Sequence, residues 1–308
     1  MTAERLTQEL FGATFQNPVV LASGTCGYGQ ELDGLVDLDG LGGLVIKATT
    51  PEPREGNPAP RVSDYGVGML NSIGLANVGA AACRAEKLPW LATRLRRAQV
   101  LVNVAGRRVE DYVEVIRTLD DAEGFLGYEL NVSCPNVEEG GAVFGTEPRL
   151  LADVVRRARA ATRRPLLVKL SPNVPDIGEM AAVAEAEGAD GLTLINTYPA
   201  LLFDLASRRP VLGAGTGGAS GPGILPMGVH AVWRARQRVS VPILGVGGIR
   251  TAEDAAQYLM AGASLVQVGT ASFADPRSAE RVLNGLERVL DRARASHVRE
   301  LVASGTLP

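Results

Sequence analysis

The chain has 308 residues, of which 46% are hydrophobic and 21% charged, a composition that supports a large buried core and excludes a disordered chain. A formal net charge of −3 argues against the basic surface that nucleic-acid binding requires. The three cysteines, Cys26, Cys83 and Cys134, match neither a disulfide framework nor a metal cluster. Because no apolar run could cross a bilayer and no signal peptide is evident, we expect a cytoplasmic protein that binds neither membranes nor nucleic acid.

Short apolar runs rich in β-branched residues alternate with amphipathic stretches. The predicted strands are 18–22, 43–47, 100–103, 128–131, 166–170, 192–195, 243–246 and 265–268. The predicted helices include 109–119, 150–161, 177–187, 251–261 and 279–295. Apolar strands that alternate with helices indicate a parallel sheet covered on both faces, and eight such units predict a closed (β/α)8 TIM barrel. The alternative, an open doubly wound sheet, needs a glycine fingerprint after its first strand, and residues 22–27 do not form one.

Three connections are too long for simple turns: 49–75, 132–147 and 196–226, after the second, fourth and sixth strands. Each follows a strand, so we expect these insertions at the C-terminal end of the barrel, where barrel enzymes hold their active sites. The sequence contains no linker or repeat that would separate a second unit. It therefore predicts a single domain over residues 1–308.

Glycines follow the last two strands and indicate a phosphate site. Gly247 and Gly248 come after the seventh strand, and Gly269 and Thr270 after the eighth. Backbone N–H groups in such loops can close on an anion, and barrels often build a phosphate site from this pair of loops. The alternative interpretation is that these glycines only form tight turns.

Polar side chains stand at or just past six strand ends: Ser23, Lys47, Asn103, Asn131, Lys169 and Asn196. Carboxamides offer a donor and an acceptor, and lysines offer donors and charge, so this set suits the edges of a flat heterocycle such as a flavin or a pyrimidine. One polar residue at a strand end is ordinary, but six on one rim favour a binding site.

Metal chemistry is not indicated. The two histidines, His230 and His297, lie in stretches predicted as helical, and no strand ends in an acidic residue, so we expect no metal site. Glu129 shares a strand face with Asn131, and we interpret it as a hydrogen-bonded core carboxylate.

Cys134 follows the fourth strand, before a loop that contains Gly140 and Gly141. A cysteine on a mobile loop above a cationic pocket can lose its proton and act as a general base. We interpret Cys26 and Cys83 as inert buried thiols.

Several motifs resemble a known family. They are Lys47-Ala48-Thr49-Thr50, Pro53-Arg54-Glu55-Gly56-Asn57-Pro58, Asn71-Ser72-Ile73-Gly74-Leu75, Asn131-Val132-Ser133-Cys134-Pro135-Asn136, Val168-Lys169-Leu170-Ser171-Pro172-Asn173, Ile195-Asn196-Thr197 and Gly217-Gly218-Ala219-Ser220-Gly221-Pro222. In this order they resemble the catalytic subunit of the class 1 dihydroorotate dehydrogenases, over about residues 6–274.

The resemblance implies FMN as cofactor and dihydroorotate as substrate, oxidised to orotate for pyrimidine (UMP) biosynthesis. It implies FMN contacts from Ala22, Ser23, Lys47, Ala48, Asn103, Asn131, Lys169, Ile195, Gly221, Gly247, Gly248, Gly269 and Thr270. It implies substrate contacts from Lys47, Asn71, Ser72, Ile73, Gly74, Leu75, Asn131, Asn136, Asn196 and Thr197. Cys134 and Lys47 are the implied catalytic residues: Cys134 takes the C5 proton while a hydride passes from C6 to the flavin.

The motif contexts around Asn71 and Thr197 are most like the NAD-linked class 1B form, which works with a separate FAD and iron–sulfur subunit. The chain shows neither a dinucleotide fingerprint nor iron–sulfur spacing, so we expect such a partner. The resemblance also implies a homodimeric core. Residues 138–139, 198–202 and 213–215 depart from that form, which leaves the partner surface open.

Other functions remain open from the residues alone. They are the fumarate-linked class 1A enzyme, an FMN oxidoreductase of another pyrimidine, a non-catalytic ligand-binding barrel, and a Schiff-base aldolase that would use Lys169.

Overall fold

A computed structural model describes residues 3–133 and 144–306 of the chain. Eight parallel strands close into a barrel: β3 (Val19–Leu21), β4 (Gly43–Thr49), β7 (Gln99–Val104), β8 (Gly127–Asn131), β9 (Leu166–Lys169), β10 (Gly191–Leu194), β13 (Ile243–Val246) and β14 (Leu265–Val268). Each strand pairs with the next, and β14 pairs with β3 to complete the circle. The predicted (β/α)8 barrel is confirmed.

Helices cover the outside of the barrel. They are α1 (Ala3–Leu6), α2 (Ala80–Ala82), α3 (Leu88–Arg94), α4 (Val109–Leu119), α5 (Pro148–Ala161), α6 (Ile177–Ala186), α7 (Leu225–Arg236), α8 (Ala252–Ala261), α9 (Ala271–Ala274) and α10 (Ser278–Ala293). A π-helical stretch, Cys83–Lys87, joins α2 to α3. Short 3-10 turns occupy Gln30–Leu32, Leu38–Gly40, Phe144–Thr146, Pro222–Ile224 and Val298–Glu300. Within the described ranges, no helix has the length and apolarity that a membrane crossing requires.

The predicted elements agree with the structure to within about two residues at each end. β13, β14 and α4 have the predicted bounds, whereas β4 extends two residues beyond the predicted 43–47. Helix α8 begins after Thr251, whose hydroxyl accepts the Asp254 N–H at 3.2 Å while the Asp254 carboxylate accepts the Thr251 N–H at 3.1 Å. This capping box fixes the start of the helix one residue later than predicted.

Two of the insertions fold together. The 49–75 insertion contains β5 (Val62–Asp64) and β6 (Met69–Asn71), and the 196–226 insertion contains β11 (Tyr198–Ala200) and β12 (Gly217–Ser220). These strands form one antiparallel sheet in the order β11-β12-β6-β5. The sheet lies at the C-terminal end of the barrel, because both insertions follow barrel strands there.

A hairpin of β1 (Gln8–Leu10) and β2 (Ala13–Phe15) closes the opposite end. Phe15, 1% exposed, packs with one apolar residue from each of six strands: Val20, Val45, Leu101, Leu167, Leu244 and Leu265. The ring of Phe11 meets the Phe15 ring edge to face, with centroids 6.2 Å apart. The N-terminal end of the barrel is therefore a packed apolar plug.

Candidate active site

A cavity with about 1180 Å³ of empty space, part of it open to solvent, lies at the C-terminal end of the barrel. It is lined by all thirteen residues predicted to contact the cofactor, and by Asn71, Ile73, Leu75, Asn196 and Thr197 of the predicted substrate set. The structure thus brings together residues from every barrel strand end and from the β11-β12-β6-β5 sheet.

Glycines form one wall of this cavity. Gly221, Gly247 and Gly248 have φ values of +92°, +130° and +76°, which disfavour any residue with a side chain. A Cβ at Gly248 would lie 2.9 Å from the carbonyl oxygen of Gly221 and 2.9 Å from the Cβ of Leu225. With Gly269 and Thr270 beside them, these residues leave the backbone open to the cavity, as a bound phosphate requires.

Ser23, Asn103 and Lys169 lie at the base of the cavity, above Glu129. The Nζ of Lys169 donates to the hydroxyl of Ser23 at 3.4 Å and lies 3.9 Å from Oε1 of Glu129. Asn103 donates from Nδ2 to the same oxygen at 2.8 Å. Asn103 lines the cavity, and among the described residues its Oδ1 is a buried acceptor without a hydrogen-bond partner.

Glu129 is fully buried and hydrogen-bonded, as the sequence interpretation holds. Two of its partners, Thr193 and Gln267, escaped the sequence analysis. Oε2 of Glu129 accepts from the Thr193 hydroxyl at 2.7 Å and from Nε2 of Gln267 at 2.9 Å. Each of these residues is a polar residue in an otherwise apolar strand, Thr193 in β10 and Gln267 in β14. That pattern was the only signal in the sequence that their side chains take part in a buried polar network.

The opposite side of the cavity is built by carboxamides and backbone. Nδ2 of Asn196 donates to Oδ1 of Asn131 at 3.1 Å and to the hydroxyl of Ser133 at 2.9 Å. Nδ2 of Asn71 donates to the carbonyl oxygen of Gly218 at 3.2 Å, which ties β6 to β12. These bonds fix which edge of each amide faces the cavity.

Two predicted substrate residues do not line the cavity. The hydroxyl of Ser72 accepts from Nδ2 of Asn57 at 2.8 Å, and a Cβ at Gly74 would lie 2.4 Å from Oδ1 of Asn57. Ser72 and Gly74 therefore pack against Asn57, and their neighbours Asn71, Ile73 and Leu75 line the cavity. Cys134 and Asn136, predicted as base and substrate ligand, lie outside the described residues.

The other two cysteines are buried free thiols, as interpreted from the sequence. Burial, together with the nearby negative charge of Glu31, raises the pKa of Cys26 to about 12. Burial also raises the pKa of Cys83 to about 11. Neither thiol is ionised near neutral pH, so neither can act as a base there.

Among the described residues that line the cavity, none is a histidine, an aspartate or a glutamate. His230 stacks on Trp233 with ring centroids 6.2 Å apart, and His297 lies just before a 3-10 turn rather than within a helix. Nδ1 of His297 accepts the N–H of Arg299 at 3.0 Å. Within residues 3–133 and 144–306, no three His, Cys, Asp or Glu side chains are grouped to hold a metal ion.

The sequence analysis missed several lining residues: Gly24, Thr25, Met69, Ala76, Ser220, Pro222, Ile224, Val246, Ile249, Arg250, Ala271 and Phe273. Most are direct neighbours of predicted residues. Met69 and Ser220 pair across β6 and β12, and only the insertion sheet brings them to the cavity.

These features define a (β/α)8 barrel with a polar, glycine-lined cavity at the end where barrel enzymes carry out their chemistry. The sequence profile of the dihydroorotate dehydrogenase family matches residues 5–290. The chain therefore belongs to the dihydroorotate dehydrogenase family.

Similar proteins carry the names of two forms of this enzyme. A Solibacter usitatus protein, provisionally named dihydroorotate dehydrogenase A (fumarate), is 51% identical over 98% of both chains. A Geotalea uraniireducens protein named dihydroorotate dehydrogenase B (NAD(+)), catalytic subunit, is 46% identical over 97% of both. A Limosilactobacillus reuteri protein named dihydroorotate dehydrogenase A (fumarate) is 46% identical over 94% of both. The predicted family and dehydrogenase activity are confirmed, and the aldolase alternative finds no support.

Proposed function

We propose that the chain oxidises dihydroorotate to orotate in pyrimidine biosynthesis, with FMN bound in the barrel cavity and Cys134 as the general base. The observation that carries this proposal is the convergence of the predicted cofactor residues and five further substrate residues on one cavity. We propose that residues 1–308 act as one FMN-binding domain.

The residues present fit FMN on two grounds. Gly221, Gly247 and Gly248 have positive φ and line the cavity, and a Cβ at Gly248 would lie 2.9 Å from the Gly221 carbonyl oxygen, so the close packing of backbone at the proposed phosphate site needs glycine. The unpartnered Oδ1 of Asn103 and the ammonium of Lys169 offer an acceptor and a donor to a flat ring. When bound, FMN supplies the hydride acceptor for the reaction.

The substrate is held by Lys47 and by carboxamides. The ammonium of Lys47 suits the substrate carboxylate, and Asn71, Asn131 and Asn196 suit the carbonyl and N–H groups of the ring. The bonds from Asn196 to Asn131 and Ser133 hold these amides in place before substrate arrives, which lowers the cost of ordering them. Asn136 and Thr197 complete the proposed set.

Cys134 removes the C5 proton of dihydroorotate. Three cysteines are available to the chain, and burial raises the pKa of Cys26 to about 12 and that of Cys83 to about 11. Cys134 follows directly on Ser133, which accepts a hydrogen bond from Asn196 at the cavity wall. This position in the chain supports Cys134 as the base.

The purified protein tests the cofactor assignment directly. We expect a yellow protein that releases one FMN per chain on denaturation, and a flavin spectrum that orotate perturbs more than uracil does. A colourless protein that takes up no FMN would contradict the proposal. A stronger response to uracil would instead indicate an oxidoreductase of another pyrimidine.

We propose that electrons leave through NAD by way of a separate FAD and iron–sulfur subunit. Relatives named as NAD-linked catalytic subunits, 44–46% identical, and the motif contexts at Asn71 and Thr197 support this acceptor. The alternative is fumarate, which is in the name of the relative that is 51% identical. The test is to assay the pure chain with NAD, fumarate and a dye. Dye activity alone supports the proposal, and fast fumarate turnover would favour the class 1A form.

We also propose a homodimeric core and a cytoplasmic location. An apolar loop segment between β11 and β12 exposes Leu201, Leu202, Phe203 and Leu205 by 40–92%, which suits a subunit contact. The unpaired thiols of Cys26 and Cys83 are compatible with a reducing compartment. Sedimentation of the purified chain tests the dimer, and a monomer at micromolar concentration would contradict it.

A further inference from the structure

Glu129 is a fully buried carboxylate at the centre of the barrel, and the proposed reaction does not use it. Four groups donate to its two oxygens, and Lys169 Nζ lies 3.9 Å away. An ionised carboxylate only accepts hydrogen bonds, and amide, hydroxyl and ammonium groups supply the donors here. Such a buried network is costly to disturb, because each donor depends on the same charge.

The two oxygens of Glu129 serve different sides of the barrel. Oε1 accepts from Asn103 at 2.8 Å and from Ser23 at 3.3 Å, and both of these side chains line the cavity. Oε2 accepts from Thr193 and Gln267, and neither is among the residues that line it. Two bonds to this carboxylate therefore come from side chains that line the cavity, and two come from side chains that do not.

Asn103 is oriented by this contact. Its Nδ2 donates to Glu129, so the polar atom that it can offer to the cavity is Oδ1, which has no partner among the described residues. The ammonium of Lys169 is likewise held through Ser23, whose hydroxyl accepts from Nζ and donates to Glu129. The base of the cavity thus presents one acceptor and one cation in fixed positions.

We propose that Glu129 is a positioning residue that makes the cavity specific for a ring with an imide N–H and sets its redox balance. This inference rests on the proposed FMN site. The imide is the one N–H of the oxidised isoalloxazine ring, and it matches an acceptor held at Asn103. The carboxylate also offsets the positive charge of Lys169 at 3.9 Å, which limits how strongly the site favours the more electron-rich reduced ring.

The experiment compares Glu129→Gln with Thr193→Val in the purified holoprotein. Both substitutions are nearly isosteric and both change one member of the Glu129 network, but only the first removes the negative charge that holds the donors of Asn103 and Ser23 and that compensates Lys169. We expect Glu129→Gln to weaken FMN binding about 10-fold, measured by flavin fluorescence on release. It should also raise the midpoint potential of the bound flavin, by about 30 mV for a tenfold preference for the reduced form. Thr193→Val should leave both quantities within about twofold of wild type.

The outcomes separate this inference from the proposed function. A wild-type protein that binds no FMN would overturn both. If the wild-type protein binds FMN but the two variants, Glu129→Gln and Thr193→Val, have the same FMN affinity and the same flavin midpoint potential, only the role of Glu129 is overturned. If Glu129→Gln does not fold, Glu129→Asp takes its place, since it keeps the charge but withdraws the carboxylate from Asn103 and Lys169. Wild-type FMN affinity and midpoint potential in Glu129→Asp would then contradict the proposal, and a loss of affinity of about 10-fold or more would support it.

Discussion

At the N-terminal ends of its strands the barrel interior is apolar and closed by the β1–β2 hairpin, whereas at the C-terminal ends it is polar, glycine-lined and open. Phe15 packs with apolar side chains from six strands at the first end. The second end holds amides, two lysines and left-handed glycines. The contrast indicates that the first end supplies folding free energy and that the second uses part of it to hold polar groups ready for a ligand.

The largest expected effect is on stability, from Phe15→Ala. Truncation of this 1% exposed ring should cost about 3–5 kcal/mol of unfolding free energy, because it leaves a cavity in the plug. The matched control is Phe273→Ala at the cavity end, where the ring is 54% exposed and should contribute about 0.5 kcal/mol or less. Denaturant unfolding measures both, and equal losses would erase the proposed difference between the two ends.

The second effect is on chemistry alone. Cys134→Ser should keep the flavin and slow its reduction by dihydroorotate by about 100-fold or more at neutral pH, because a hydroxyl is a much weaker base than a thiolate. The rate should recover in part as pH rises. Cys83→Ala is the control, since burial raises the pKa of Cys83 to about 11 and keeps that thiol protonated. Stopped-flow reduction decides the matter, and an unchanged rate in Cys134→Ser would place the base elsewhere.

The third effect separates two glycines that share a positive φ. Gly248 has φ +76° and a Cβ there would lie 2.9 Å from backbone, while Gly12, in the hairpin, has φ +74° and open space around it. Both alanine variants should lose about 1 kcal/mol of stability from backbone strain, and Gly248→Ala should lose more because its methyl group also contacts the Gly221 carbonyl oxygen. Only Gly248→Ala should also weaken FMN binding, by about 10-fold, since Gly221 must shift beside the proposed phosphate site to accommodate the methyl group. If FMN titration finds equal affinities for the Gly248→Ala and Gly12→Ala variants, the proposed phosphate site at Gly248 is contradicted.

The smallest effect concerns pH and the hairpin end. Oδ1 of Asp39 accepts the N–H groups of Arg96, Arg97 and Ala98 at 2.7–3.0 Å, where β7 begins. Partial burial raises the pKa of Asp39, but these three bonds outweigh it and hold the pKa below its ordinary value. The folded-state pKa is therefore lower than the unfolded one. The stabilisation is present above about pH 4 and disappears as pH falls through the folded-state pKa.

We expect Asp39→Asn to lower the unfolding free energy at pH 7 by about 1 kcal/mol, a value reduced for partial exposure. The difference from wild type should shrink below about pH 4. Asp64→Asn is the control at the cavity end, because Asp64 is exposed and accepts one N–H, from Gly66. A loss that is constant from pH 3 to pH 7 would show that the charge of Asp39 plays no part.

Local patterns in the sequence predicted the barrel because each strand is a short apolar run with a helix after it. They did not predict the hairpin, since β1 and β2 are three residues long and their turn is Phe11-Gly12. They also could not pair β6 with β12, which are about 150 residues apart and meet through backbone hydrogen bonds. Pairing of that range leaves no local periodicity to read.

The candidate site divides in the same way. Strand-end residues such as Lys47 and Asn103 were predictable, because position at a strand end already places them on one rim. The support of Ser72 and Gly74 by Asn57 was not, since it depends on how the insertion folds back. The partners of Glu129 also come from strands far apart in sequence, so Thr193 and Gln267 gave only the weak signal of a polar residue in an apolar run.

The sheet of β11, β12, β6 and β5 has a consequence for anyone who would redesign the enzyme. β12 is Gly-Gly-Ala-Ser, and a Cβ at Gly217 or Gly218 would lie 2.4 Å from the carbonyl oxygen of Asn71 or 2.0 Å from the hydroxyl of Thr197. β12 therefore packs closely against Asn71 and Thr197, both of which line the pocket, so side chains added at Gly217 or Gly218 cannot be accommodated. A variant for bulkier substrates would have to gain room at the side chains of Met69 and Ile73, which also line the pocket.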